Sequence, residues 1–267
     1  MRFALSLLPV LLLAAPALAS PDGGSDAGAP DAAMGDAGVA DAGAKPCPDP
    51  AVLDKAAEAD LRLRQDGTCD VDDLALLTAA VKMLDACAGK VKPAKQWVFP
   101  VANLTPGEAI GGEGGSGFVK NPMKCYASPN AGHPAHDLFV DDPHQESRDK
   151  HGNSFPAVTV EECWVLVARA GWKPGDDSKG GNYLMLYLPA RKQIAYYAHL
   201  ETIEVKPGDR LEAGQVVGAI GRTGRNAMPA RSQTHLHFGL WDAATFRPIN
   251  SYPLLRAART VKVAPPE

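Results

Sequence analysis

The chain has 267 residues, 22% of them charged, and a formal net charge of -4. That length supports a sizeable core in one or two domains, and the absence of a basic excess argues against a nucleic-acid partner. The acidity is local: residues 20–46 hold Asp22, Asp26, Asp31, Asp36 and Asp41 against Lys45, so 5 - 1 accounts for the whole net charge of 4.

The first twenty residues read MRFALSLLPVLLLAAPALAS, with Arg2, a short apolar run and then Ala17-Leu18-Ala19. This is the pattern of a secretory signal peptide over residues 1–19. A spanning helix needs about 20 apolar residues, so no transmembrane segment is expected after signal removal. The expected destination is an exported one, periplasm or extracellular, where disulfides form. Residues 20–46 repeat Asp-Ala-Gly with almost no large apolar side chain. Such a segment cannot bury enough surface to offset its ordering entropy, so a disordered tether is expected.

Residues 47–92 are expected to form a small helical module. Leu74, Leu77, Val81 and Leu84 recur at three- and four-residue spacing, which makes one helix face apolar. Asp70, Asp72 and Asp73 precede that run, where they complement the helix dipole. An earlier helix is expected over 51–65, with QDGT as the turn. Cys69 and Cys87 then lie about 27 Å apart on one helix, beyond disulfide reach. In an antiparallel hairpin Cys47 falls beside Cys87 instead, and this pair is expected to bridge. Cys125 and Cys163 are expected to form a second disulfide, which leaves one cysteine of five over.

From Trp97 onward glycine and proline rise and short apolar or alternating runs appear between turn signals. CWVLVARA (163–170), YLMLYL (183–188), QIAYYAHL (193–200), QVVGAIG (215–221) and THLHFGLW (234–241) read as strands. KPGD and EAGQ read as turns. Residues 93–267 are therefore expected to form a mainly β domain with antiparallel sheets behind the small α-helical module.

All seven histidines fall between residues 133 and 237. On a strand, residues two apart share a face, so His235 and His237 project together while Leu236 and Phe238 face the core. In GHPAHDLFV, His133 and Asp137 can reach one point across a short turn or strand, whereas His136 faces away from both. Imidazoles plus a carboxylate form a mixed donor set suited to catalytic zinc. Strict alternation puts His199 on the side of Tyr197 and Ala195. Tyr196 and Tyr197 read as packing residues of the same strand.

Taken in order, H-x-x-x-D at 133–137, Y-A-H-L at 197–200 and H-L-H-F at 235–238, with VKPGDRLEAGQVVGAIGRTG between the last two, resemble the lysostaphin-type family of zinc metallopeptidases that cut peptidoglycan peptides. The resemblance covers residues 132–241 well, 97–131 faintly, and neither the tether nor the helical module. It implies a compact β domain of the barrel-sandwich-hybrid kind with a substrate groove across an antiparallel sheet. It implies one Zn²⁺ per chain held by His133, Asp137 and His237, with His199 and His235 as catalytic histidines and peptidoglycan peptide as substrate.

Three features depart from the family pattern. Ala135 stands where the family has glycine, residues 141–156 form an apparent charged insertion containing His144 and His151, and VEECWV replaces a small-residue pattern. The implied chemistry is amide hydrolysis, with one histidine taking a proton from water and the other stabilising the oxyanion or protonating the leaving amine. A rival reading is an inactive wall-binding or amidase-activating module on the same fold. A second is a biotinyl or lipoyl carrier domain, but no lysine lies between Leu211 and Gly224 to take the cofactor. Nothing in the sequence sets the oligomeric state.

Overall fold

The computed structural model describes residues 47–110, 118, 125–126 and 132–264. The expected signal peptide and tether lie outside the described residues.

Two helices open the described chain. Helix α1, Pro50–Asp66, starts at Asp49, whose side chain accepts the Ala51 N–H, and stops at Gly67 in the left-handed region. Helix α2, Val71–Ala88, starts at Asp70, whose carboxylate accepts the N–H groups of Asp72 and Asp73. Leu53, Ala56 and Leu63 of α1 bury against Leu77, Ala80, Val81 and Leu84 of α2. The hairpin brings Cys47 and Cys87 together in a disulfide with a Cα separation of 5.7 Å, as its antiparallel course requires.

The second disulfide differs from the expectation. Cys69, in the loop between α1 and α2, pairs with Cys125, and Cys163 is a free, buried thiol. The reason is the sheet itself. Cys163 points into the core on one face, while Cys125 packs in the cluster on the other face, so the sheet separates them.

Eight strands follow, separated by loops and preceded by a short helix α3, Pro106–Ala109; helix α4, Tyr252–Arg256, closes the set. They are β1 Ala135–Phe139, β2 Phe155–Val158, β3 Cys163–Arg169, β4 Asn182–Leu188, β5 Gln193–Ile203, β6 Arg210–Leu211, β7 Val216–Ile220 and β8 His235–Asp242. The sheet runs β1-β8-β5-β4-β3-β6, and β7 pairs with both β5 and β2. All these pairings are antiparallel. The chain is thus mainly β, with a small helical module before it.

One sheet face packs Leu138, Leu184, Leu186, Tyr197, Leu236 and Phe238 against Trp97, Phe99 and the β2–β7 pair. The opposite face presents Tyr183, Met185, Tyr187, Ile194, Tyr196 and Trp241 to the α1–α2 hairpin. Cover on both faces explains why every residue of β4 is buried. Beyond β1, residues 141–154 of the charged insertion form a loop, and its last two residues, Phe155 and Pro156, open β2. Asp142 accepts from the N–H groups of Glu146 and Ser147, and Asp149 from those of His151 and Asn153. No described helix is long and apolar enough to cross a membrane.

Candidate metal centre

Strand pairing builds the site. Asp137 on β1 lies directly across from His237 on β8, and Leu138 lies across from Leu236. Period-two alternation then turns Asp137 and His237 to one face and the two leucines to the core. His133, just before β1, reaches the same place. Its Nε2 lies 3.2 Å from Asp137 Oδ1, His237 Nδ1 lies 3.0 Å from that same oxygen, and His235 Nε2 lies 3.5 Å from it. Burial alone would raise the Asp137 pKa, but the hydrogen bonds with His133 and His237 outweigh it and hold the carboxyl well below its usual range. Partial burial lowers the His237 pKa despite the neighbouring carboxylate.

His199 corrects the simple alternation. Its ring centroid lies 4.9 Å from that of His235 and 5.6 Å from that of His237, on the side of Tyr196 and Ala198, not of Tyr197 and Ala195. The cause is a bulge. Tyr183 pairs with Ala198 and Asn182 with Leu200, so His199 has no partner on β4, and its φ is +66°. A bulged residue in the left-handed region reverses the side to which the side chain points. For a residue with a Cβ that conformation costs about 1–3 kcal/mol and persists only where neighbours enforce it. Here the His199 N–H donates to Gly180 O at 2.9 Å, and the His199 carbonyl accepts from Gly221 N at 2.9 Å. The turn is closed by Thr223 Oγ1 donating to Leu200 O at 2.8 Å and by Asn182 Nδ2 donating to that carbonyl at 3.1 Å.

The same contacts define tautomers. His199 Nδ1 lies 2.8 Å from Thr223 O, and His235 Nδ1 lies 2.6 Å from Gln233 O. A carbonyl only accepts, so the Nδ1 atom of each ring carries a proton. Burial, followed by the nearby His237 and His235, lowers the His199 pKa to about 3, so it is neutral near pH 7.

Among the described residues, two groups could hold a metal: His133, Asp137 and His237, and His199, His235 and His237, each with ligand atoms within 4.8 Å of one another. In the first group, the two separations to Asp137 suit zinc. Two donors bound at about 2.0–2.1 Å and a tetrahedral angle lie about 3.3 Å apart, against the 3.2 and 3.0 Å found from His133 and His237 to Asp137. Three imidazole nitrogens converge on one carboxylate oxygen, an arrangement that a cation between them balances. His136 is not part of either group. It is buried on the other side of β1, and its Nε2 meets Asn250 Oδ1 at 2.9 Å. His144 and His151 are exposed on the 141–154 loop and belong to neither group.

Residues 156–250 match peptidase family M23. That stretch is about a third of the chain, and it is similar to peptidase family M23. The M23 match includes His199, His235 and His237 and begins after His133 and Asp137. Over 72 residues, 27% of this chain, it is 38% identical to glycyl-glycine endopeptidase ALE-1 of Staphylococcus capitis, covering 18% of that protein. Over the same length it is 36% identical to lysostaphin of Staphylococcus simulans, covering 13% of it. The chain therefore spans less than a fifth of these curated relatives. Among solved structures, the catalytic domain of the antimicrobial peptidase lysostaphin from Staphylococcus simulans aligns at 24% identity and a TM-score of 0.37, over 53% of this chain and 90% of that one. A zinc-containing peptidase from Vibrio cholerae aligns at 24% identity and a TM-score of 0.34, over 55% of this chain and 36% of that one.

Some residues that build the candidate site have little signal in the sequence. Gly180, Asn182 and Thr223 hold His199 through backbone and amide contacts, and the only signals for them are the glycine-rich turns GGN and GRTG. Tyr196 was read as packing, yet its ring meets that of His237 edge-on at 6.0 Å.

Proposed function

We propose that the chain is a zinc-dependent metalloendopeptidase that hydrolyses peptide bonds in peptidoglycan cross-links or cross-bridges. One observation carries the reading: His133 Nε2 and His237 Nδ1 flank one oxygen of Asp137, with His235 Nε2 3.5 Å from that oxygen and the His199 ring 4.9 Å from the His235 ring. The M23 match and the similarity to a staphylococcal glycyl-glycine endopeptidase and to lysostaphin support it.

In this reading His133, Asp137 and His237 hold one Zn²⁺. Zinc bound there supplies Lewis acidity toward a scissile carbonyl and lowers the pKa of water toward ~7. Asp137 contributes the single negative charge of the set and sits where its register partner His237 is fixed by the strand pair. His199 and His235 remain outside the ligand set. With their Nδ1–H groups directed to backbone carbonyls, each has Nε2 as the ring nitrogen left for the reaction. One accepts the proton of the attacking water; the other donates toward the developing oxyanion or the leaving amine. The rigid bulge at His199 holds its ring without reorganisation, which is what positioned proton transfer requires. The two disulfides support an exported, oxidising location, either periplasm or extracellular.

Zinc stoichiometry separates the two possible ligand groups. Chelated and reconstituted protein is expected to hold one zinc per chain, Asp137→Ala to hold none, and His199→Ala to keep it. Loss of zinc in His199→Ala with retention in Asp137→Ala would assign the metal to the three-histidine group instead.

A further inference from the structure

The α1–α2 hairpin reaches toward the site through one side chain. Asp60 of α1 is fully buried and takes hydrogen bonds from Tyr126 Oη at 2.6 Å, Tyr183 Oη at 2.5 Å and Arg64 Nε at 2.9 Å. With its charge and direction fixed in this way, Arg64 lays its guanidinium over an aromatic box on the catalytic face of the sheet. Its Cζ lies 4.5 Å from the ring centroids of Tyr183 and Tyr196, 4.9 Å from that of Tyr126 and 5.8 Å from that of Trp241.

Tyr196 connects this box to the histidines. Its ring meets the His237 ring at 85°. Its hydroxyl lies against Gly180, where an added Cβ would come within 2.4 Å of Oη. The carbonyl of Gly180 is the acceptor for the His199 N–H. A phenol that shifted would therefore press on both the His237 ring and the turn that holds the His199 bulge.

We propose that Arg64 is a positioning residue of the metal centre: the helical hairpin uses it to fix Tyr196, and Tyr196 fixes His237 directly and His199 through Gly180. The proposal rests on the zinc reading for its metal-affinity readout only. A buried ion pair is a poor source of net stability, because apolar side chains of similar volume often pack as well. A role in orientation gives the Asp60–Arg64 pair a purpose that stability does not. It also makes the hairpin part of the catalytic unit rather than a detachable cover.

The test uses the full chain with Arg64→Leu, Arg64→Lys and, as a control, Arg62→Leu. Arg62 lies on the same helix but forms an exposed pair with Asp73. Zinc affinity is read by chelator competition, and the ring signals of His237 and His199 by ¹H–¹⁵N imidazole spectra with and without metal. Arg64→Leu is expected to weaken zinc about tenfold, the usual effect of losing a residue that orients a ligand, and to shift both ring signals. Arg64→Lys, which keeps a cation over the rings, is expected to restore most of the affinity. Arg62→Leu is expected to match the wild type.

Wild-type zinc affinity and unshifted rings in Arg64→Leu would overturn the proposal. So would equal weakening in Arg62→Leu, or no recovery with lysine. If Arg64→Leu fails to fold, Tyr196→Leu carries the test with the Asp60–Arg64 pair intact. The same weakening and shifts support the proposal, and their absence overturns it. A wild type that binds zinc but cleaves no wall peptide would end the peptidase reading and leave this result standing. A wild type that binds no zinc would end the metal reading, with the ring spectra still deciding the positioning role.

Discussion

Gly181→Ala tests whether two backbone turns hold the bulge at His199. Gly181 has φ of +65°, and an added Cβ would fall 2.3 Å from Thr223 C and 2.4 Å from Gly224 N. Two penalties combine. The left-handed backbone costs an alanine about 1–2 kcal/mol, and forcing an extra carbon into a packed contact costs about 1–3 kcal/mol, so the expected loss is about 2–5 kcal/mol. Neither neighbour is a flexible side-chain tip, so relief comes only from moving the 223–224 turn, which carries the carbonyl that holds His199 Nδ1. Gly152→Ala isolates the first penalty, since its φ is +83° and nothing lies within 4 Å of the added carbon. Urea unfolding should show a loss of about 1–2 kcal/mol for Gly152→Ala and clearly more for Gly181→Ala. Hydrolysis should fall about a hundredfold in Gly181→Ala, as a 1 Å misplacement implies, and stay unchanged in Gly152→Ala. Equal destabilisation of the two variants, or full activity in Gly181→Ala, would refute the clamp.

Other outcomes follow from the same structure. The disulfides Cys47–Cys87 and Cys69–Cys125 have sequence separations of 40 and 56. Removing either as a double serine variant should lower stability by about 4 kcal/mol from loop entropy, measured as a fall in urea midpoint, and Cys163→Ser should leave the oxidised pairs intact by peptide mapping. Because the folded pKa of His199 is depressed to about 3, the unfolded chain takes its proton first as pH falls. Its contribution to stability in the metal-free protein is therefore full above about pH 6.5 and declines below it by up to ~1.4 kcal/mol per unit. His199→Asn, which tolerates the same backbone, should flatten that part of the stability profile, and an unchanged slope would contradict the burial argument. Chelation should abolish hydrolysis and zinc should restore it, with a raised melting temperature in the zinc-bound state.

The strands of the β domain were legible because their apolar runs are bounded by Gly, Pro and Asp turns. The helix hairpin was legible from its spacing and from the Cys47–Cys87 geometry. What escaped depends on tertiary contacts. Strand period two assigned His235 and His237 to one face but placed His199 on the wrong one, because the bulge arises from β4 pairing and two glycine turns. The Cys69–Cys125 bridge depends on how the hairpin docks against the sheet, and no local spacing encodes that. The short strands β2 and β6 exist through their partners β7 and β3 and carry too few residues to show a period. Arg64 carries no signal in the sequence, because the rings around it come together only from Tyr126 and three separate strands.

The central claim is tested most directly by mass spectrometry of muropeptides after digestion with zinc-loaded protein, wild type against His235→Ala. The account predicts new cleaved cross-link or cross-bridge peptides with the wild type and their loss in His235→Ala while zinc is retained. Identical product patterns from the two proteins would contradict it.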